Sequence, residues 1–234
     1  GRATSLALAG KGAHIAVVDR DEQGAEQTAE QVRMLGRRAS VHLADVRDEV
    51  RVQAVADKVV AEHGGCNILV NNAGVTSAGS FDDETLDDLR WIVDINVWGV
   101  VNGCRAFLPA LREAEEGHIV NLSSMVGLLG LPHNAAYSLT KGAVRGFTEA
   151  LRGELITTDI GVTVVFPGAI RTDITNRARG SSSELLAEMG KSRFAPLAMR
   201  PPEAVARRIV RAIERDLSRI TVGPDARAVD LLMR

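Results

Sequence analysis

Short apolar runs alternate with longer amphipathic stretches along almost the whole chain. The runs lie at 14–19 (HIAVVD), 39–44 (ASVHLA), 67–71 (NILVN), 117–122 (GHIVNL), 161–166 (GVTVVF) and 219–222 (RITV). Between them apolar residues recur every three or four positions at about 22–35, 48–63, 85–113, 135–158 and 202–216, and a further amphipathic stretch at 3–9 precedes the first run. Short apolar runs predict buried strands, and the wider spacing predicts helices with one face on a core. Strands apolar on both faces, alternating with helices, predict a mostly parallel sheet with helices on both sides. Right-handed crossovers then make the chain a doubly wound α/β protein.

The longest apolar stretch, residues 91–111, carries Asp94, Asn96, Asn102 and Arg105. Four such polar groups rule it out as a bilayer span and predict one long buried helix instead. No linker divides the 234 residues, so a single domain over 1–234 is expected. A long irregular insertion at about 169–201, rich in Arg, Ser and Pro, predicts a lid over a binding site. A net charge of −2 leaves no footprint for nucleic acid. Cys66 and Cys104 form no CxxC pair and the five histidines no HxxxH or HExxH pair, so neither a metal site nor a disulfide framework is expected and the reading is cytoplasmic.

In a doubly wound sheet, ligands bind beyond the carboxyl ends of the strands. The residues there are Asp19, Asp45, NNAG at 71–74, LSSMVG at 122–127 and FPGAIRT at 166–172. Small residues that expose their backbone suit a long, flat cofactor whose phosphates and amide meet main chain. A carboxylate at Asp19 could accept both adenosine ribose hydroxyls and repel a 2′-phosphate, which favours NAD over NADP provided Arg20 points away. The alternative for Asp19 is an acid at the N-terminus of the next helix, and for Asp45 a helix cap. Tyr137 and Lys141, four apart in YSLTK, fall on one helix face, where the ammonium favours the phenolate. Tyr137 is the only tyrosine, so no other phenol could act as acid or base.

These segments together carry a resemblance. NNAG at 71–74, DINVWG at 94–99, IVNLSSMVG at 119–127, YSLTK at 137–141 and PGAIRT at 167–172 resemble, in order and spacing, the short-chain dehydrogenase/reductase superfamily. The resemblance implies a Rossmann-type domain and hydride transfer between a nicotinamide and a secondary alcohol or ketone. It implies Tyr137 as acid/base, Lys141 as the residue that lowers its pKa and holds the nicotinamide ribose, and Ser124 as donor to the substrate oxygen. Asn96 would hold a helix distortion and a water on the proton path from Lys141. Asn72, Ala73 and Gly74 would form the turn that admits the cofactor, Asp45 and Val46 the adenine contact, and Pro167, Gly168, Ile170 and Thr172 the face on the amide and phosphates. Gly1 matches the last glycine of a TGxxxGxG turn, so an upstream strand and two more glycines are expected, and the C-terminus, which stops in a helical pattern, is expected to be cut likewise.

Apolar residues in MVGLLGLPHN at 125–134, with Leu185, Leu186, Met189, Phe194, Leu197 and Met199 of the insertion, suggest a lipophilic alcohol or ketone as substrate, although packing of the insertion onto the body would use the same residues. The apolar surface of the helices at 85–113 and 135–158 predicts a homotetramer, with a dimer second. Competing readings are a methyltransferase, a non-catalytic NAD(H)-sensing scaffold, and an epimerase or dehydratase of the same superfamily.

Overall fold

The computed structural model describes residues 1–184, 188 and 199–233. Among the described residues there are six strands, all paired in parallel. β1 (Ile15–Asp19) pairs with β2 (Ala39–Leu43), and β3 (Ile68–Asn71), β4 (Gly117–Leu122), β5 (Ile160–Pro167) and β6 (Arg219–Val222) follow in that spatial order. Each strand lies within about one residue of the run that predicted it.

The helices start where short polar side chains meet free backbone N–H groups. Asp21 caps α2 (Glu22–Met34) through Gly24 N–H, Asp48 caps α3 (Glu49–His63) through Arg51 N–H, and Thr85 caps α4 (Leu86–Val93) through Asp88 N–H. The cap of α3 is thus Asp48, which leaves Asp45 to other work. α1 (Arg2–Ala9), α5 (Gly99–Glu113), α6 (Ala135–Glu154), α7 (Pro202–Glu214) and α8 (Pro224–Leu232) complete the helices used below, the last two entered through prolines that need no N–H partner.

Alternation along the strands sorts the core onto two faces. Ile119 and Val162 point to the layer of α3, α5 and α6, where they meet Val55, Phe107, Leu111 and Val144. Val120 and Val165 point the other way, to Ile209 and Ala212 of α7. Leu111, Ile119, Val120, Val162 and Val165 have essentially no solvent exposure. Truncating any one of them to Ala would cost about 2–5 kcal/mol for a leucine or isoleucine.

The sheet comes in two pieces. Among the described residues β1 pairs only with β2 and β3 only with β4, so each presents one unpaired edge. Their side chains nevertheless meet: Ile15 and Val17 of β1 share a cluster with Ile68 and Val70 of β3, beneath Leu8 and Ala9 of α1.

One element departs from expectation. The long helix foreseen at 85–113 is two α-helices joined by a π-helical turn over Asp94–Trp98. Its cause is Asn96, whose fully buried amide turns onto the backbone of Val75. A π turn widens the helix locally, and such turns recur at functional sites.

Candidate functional site

The segments after β3, β4 and β5 meet at the carboxyl edge of the sheet. β4 runs out into Ser123 and Ser124, and their hydroxyls do different jobs. Ser123 Oγ donates to the Lys141 carbonyl at 2.7 Å and so ties the strand end to α6. A side chain at Gly127 would meet that carbonyl and Ser123 Oγ, both at 2.6 Å, which is why the turn at Met125–Gly127 must end in glycine. Ser124, extended at φ −163, begins that turn, its Oγ accepting from Val126 N–H at 3.4 Å.

α6 presents Tyr137 and Lys141 on one face. The Tyr137 ring is half-buried against Val75, Ile92, Ile95 and Ala136, and the Lys141 ammonium stands 5.7 Å from the ring centroid. Lys141 is buried, with Nζ donating to the Leu122 carbonyl at 2.9 Å. Desolvation pushes the Tyr137 phenol up to about 12, opposed by hydrogen bonding with Ser124, and pushes the Lys141 ammonium down to about 8.

Asn96 closes the group from below. Its Oδ1 accepts from Val75 N–H at 2.8 Å, and its Nδ2 donates to the Val75 carbonyl at 2.9 Å and to Thr140 Oγ1 at 3.0 Å. One amide therefore fixes both the segment after β3 and the turn of α6 that carries Lys141. Gly74 sits above it, where a Cβ would come within 3.3 Å of Asn96 Oδ1 and 3.4 Å of Lys141 Nζ.

A chain of further residues runs along the sheet edge. Gly1 precedes α1 and lies beside Asn72, whose Nδ2 a Cβ on Gly1 would meet at 3.5 Å. Asn72 and Ala73 are exposed on the turn. Asp19 ends β1 with an exposed carboxylate that accepts the Asp21 N–H at 3.1 Å, and Arg20 is exposed next to it. Asp45 is engaged by Arg47, with Nη2 2.6 Å from Oδ2 and Nε 3.0 Å from Oδ1, a contact that holds its carboxyl below the usual range. Val46 packs on Gly99 of α5, and its carbonyl accepts from Asn102.

Pro167 ends β5, and Gly168 N–H bonds the Val222 carbonyl at 2.9 Å. Ile170 makes a parallel bridge to Arg200, joining the two ends of the 169–201 insertion, while Thr172 is exposed. Leu185, Leu186, Met189, Phe194 and Leu197 lie outside the described residues. In the 125–134 segment Leu128 packs into the body with Val164 and Phe166, whereas Leu129 and Leu131 are exposed.

Three supporting residues carry no local sequence signal. Val75 contributes only its backbone, Ser123 differs from Ser124 only in direction, and Asp225 of α8 reaches back across the fold to accept the Ala169 N–H at 2.7 Å. Among the described residues no group of three or more His, Cys, Asp or Glu could hold a metal ion, and no helix is long and apolar enough to cross a membrane.

A sequence model described as short chain dehydrogenase matches residues 1–182, most of the chain, and the protein belongs to that family. SadH of Mycobacterium tuberculosis, provisionally named an oxidoreductase, is 40% identical over 239 residues, which span 100% of this chain and 86% of SadH. A short chain dehydrogenase/reductase from Burkholderia phymatum, crystallised in complex with NAD, superposes with a TM-score of 0.89 at 29% identity, over 99% of this chain and 88% of that one. A short chain dehydrogenase from Mycobacterium paratuberculosis bound to NAD gives 0.83 at 27% identity, over 95% and 91%.

Proposed function

We propose that the protein is an NAD(P)-dependent oxidoreductase that interconverts a secondary alcohol and a ketone, with Tyr137 as acid/base. The observation that carries this reading is the set at the end of β4: Ser124, Tyr137 and buried Lys141, stacked on the Asn96 amide. The residues fit a dinucleotide. Lys141 Nζ has three N–H donors and, among the described residues, one bonded carbonyl, so donors remain for ribose hydroxyls. Gly74 leaves the space above Lys141 and Asn96 that a side chain would fill. Gly1, Asn72, Ala73, Gly74, Val46, Pro167, Gly168, Ile170 and Thr172 would line the cofactor, with Asp45 and Arg47 beside the adenine.

When bound, the nicotinamide would supply or take the hydride. Ser124 would hold the substrate oxygen by its hydroxyl while Tyr137 Oη gives or removes the oxygen's proton. Lys141 would stabilise the phenolate through charge, and Asn96 would keep Lys141 and the Val75 segment in register. The exposed Asp19 carboxylate supports NAD over NADP. Exposed Leu129 and Leu131 support a lipophilic ketone. Exposed Leu86, Trp98 and Leu139 on α4, the π turn and α6 support assembly as a homotetramer.

The test is a panel of alicyclic and linear ketones with NADH and NADPH. Tyr137→Phe should retain NADH binding and lose turnover by about 10²-fold or more. Asp19→Ala should narrow the preference for NADH by about tenfold. Near-normal turnover in the Tyr137 variant would remove the acid/base assignment, and a wild-type preference for NADPH would remove the Asp19 argument.

A further inference from the structure

The segment after β3, residues 75–79, is held on three sides. Asn96 grips Val75 from below. The Gly79 N–H bonds the His133 carbonyl at 3.0 Å, on the loop that leads into Tyr137. The third side is a strap at 178–182, within the long insertion. Ala78 N–H bonds the Arg179 carbonyl at 2.9 Å, Arg179 N–H bonds the Thr76 carbonyl at 3.3 Å, and Ser182 N–H bonds the Ala78 carbonyl at 2.9 Å. Val75, Thr76, Ser77 and Ala78 are all buried as a result.

The crossing is too tight for side chains. Gly180, at φ +100, lies on Ala78, and a Cβ there would run into the Ala78 carbonyl oxygen. The Arg179 side chain then reaches outward to α4. Its guanidinium stacks 4.2 Å from the centroid of a Trp91 ring and pairs with Asp88 at 3.2 Å. Trp91 in turn packs in the cluster that holds Val75, Ala136 and the Tyr137 ring. Arg179 thus joins the strap, α4 and the wall beside Tyr137, yet it stands apart from every residue assigned to the cofactor.

We propose that Arg179 is a positioning residue that fastens the 178–182 strap to the 75–79 segment and so shapes the substrate side of the site. This rests on the oxidoreductase reading for its kinetic consequence and on geometry alone for the fastening. An exposed ion pair or an exposed cation–π stack is weak by itself, but both act here on a strap already bonded through backbone. Loss of the guanidinium should release the strap without disturbing the Lys141 end of the site.

The experiment compares wild type, Arg179→Ala, Arg179→Lys and Arg90→Ala in the full protein. Arg90 is an exposed arginine on the same helix, paired only locally with Asp87, and serves as the control. Hydrogen exchange by mass spectrometry should show peptides covering 75–79 and 178–182 exchanging about tenfold faster in Arg179→Ala, with the β4 and β5 peptides unchanged. For the ketone best reduced in the panel, KM should rise about tenfold, kcat should fall less, and the Kd for NADH should stay within about twofold. Arg179→Lys, which keeps the charge but not the planar stack, should restore part of the KM.

Unchanged exchange in both segments overturns the proposal, as does an equal weakening of NADH binding or an Arg90→Ala variant that behaves like Arg179→Ala. A wild type that reduces no ketone removes the oxidoreductase reading, while the exchange comparison still passes or fails the fastening.

Discussion

For the acid/base role proposed for Tyr137, the pair Tyr137 and Lys141 starts from the wrong protonation balance, and the mismatch can be measured. Burial raises the phenol to about 12 and lowers the ammonium to about 8. Bringing a phenol from its ordinary value of about 10 to about 7 needs about 4 kcal/mol, and the two further units from burial add about 3, making about 7 kcal/mol. A unit charge at the 5.7 Å that separates the Lys141 ammonium from the Tyr137 ring is worth about 3 kcal/mol at an effective dielectric of about 20. Lys141 alone therefore supplies less than half of what is required. The remainder calls for a second positive charge, which an oxidised nicotinamide would bring.

The sequence makes the assay clean, because Tyr137 is the only tyrosine. Near-ultraviolet absorbance of the phenolate, corrected with a Tyr137→Phe blank, reads this one group. Without cofactor the phenolate step should lie above that of free tyrosine, between about 10 and about 12, since the ring is only half-buried. Saturating oxidised NAD should move it down by about two units or more, and Lys141→Met should place the step about two units higher both with and without the cofactor. A cofactor-free step at or below that of free tyrosine, or one that oxidised NAD leaves in place, would refute the reasoning.

Two further outcomes test the scaffold. Asn96→Ala would strip three hydrogen bonds and leave both backbone groups of Val75 buried without their partner, so urea denaturation should show a loss of about 2–4 kcal/mol. His118, buried and bonded to Thr163, has its pKa lowered to about 4 by desolvation. Its folded value lies below its unfolded one, so the unfolded chain takes the proton first: its contribution is complete above about pH 6.5 and is lost as the pH falls towards about 4. The 2.5-unit gap corresponds to about 3 kcal/mol, and His118→Gln should flatten that part of the stability profile measured by urea titration.

The strands and most helices were legible because burial on both faces writes itself into short apolar runs and burial on one face into a wider spacing, whereas the helix cap expected at Asp45 falls to Asp48, three residues on. The catalytic candidates were legible for a related reason: Tyr137 and Lys141 sit four apart on one helix, so their neighbourhood is a property of helix geometry. Apolar spacing alone reads 85–113 as one long helix because it survives a π turn nearly unchanged, whereas the resemblance already implied a distortion at Asn96. What breaks the helix is a single amide, Asn96, finding the backbone of Val75, which lies 21 residues earlier in the chain.

Sequence alone determined the parallel α/β layering and Asp19 at the end of its strand, and through the family resemblance it offered Asn96, Ser124, Tyr137 and Lys141 as a candidate set. These follow from local periodicity, from spacing within one element, and from motifs whose order is linear. Only the tertiary structure decided that Ser123 ties the strand end to α6, that Asp45 is occupied by Arg47, that Asp225 steadies the turn after β5, and that Arg179 bridges a strap to Trp91. Each of those contacts joins a backbone group or a charged side chain to a partner chosen by the fold, and a backbone N–H or carbonyl looks the same at every position of a sequence.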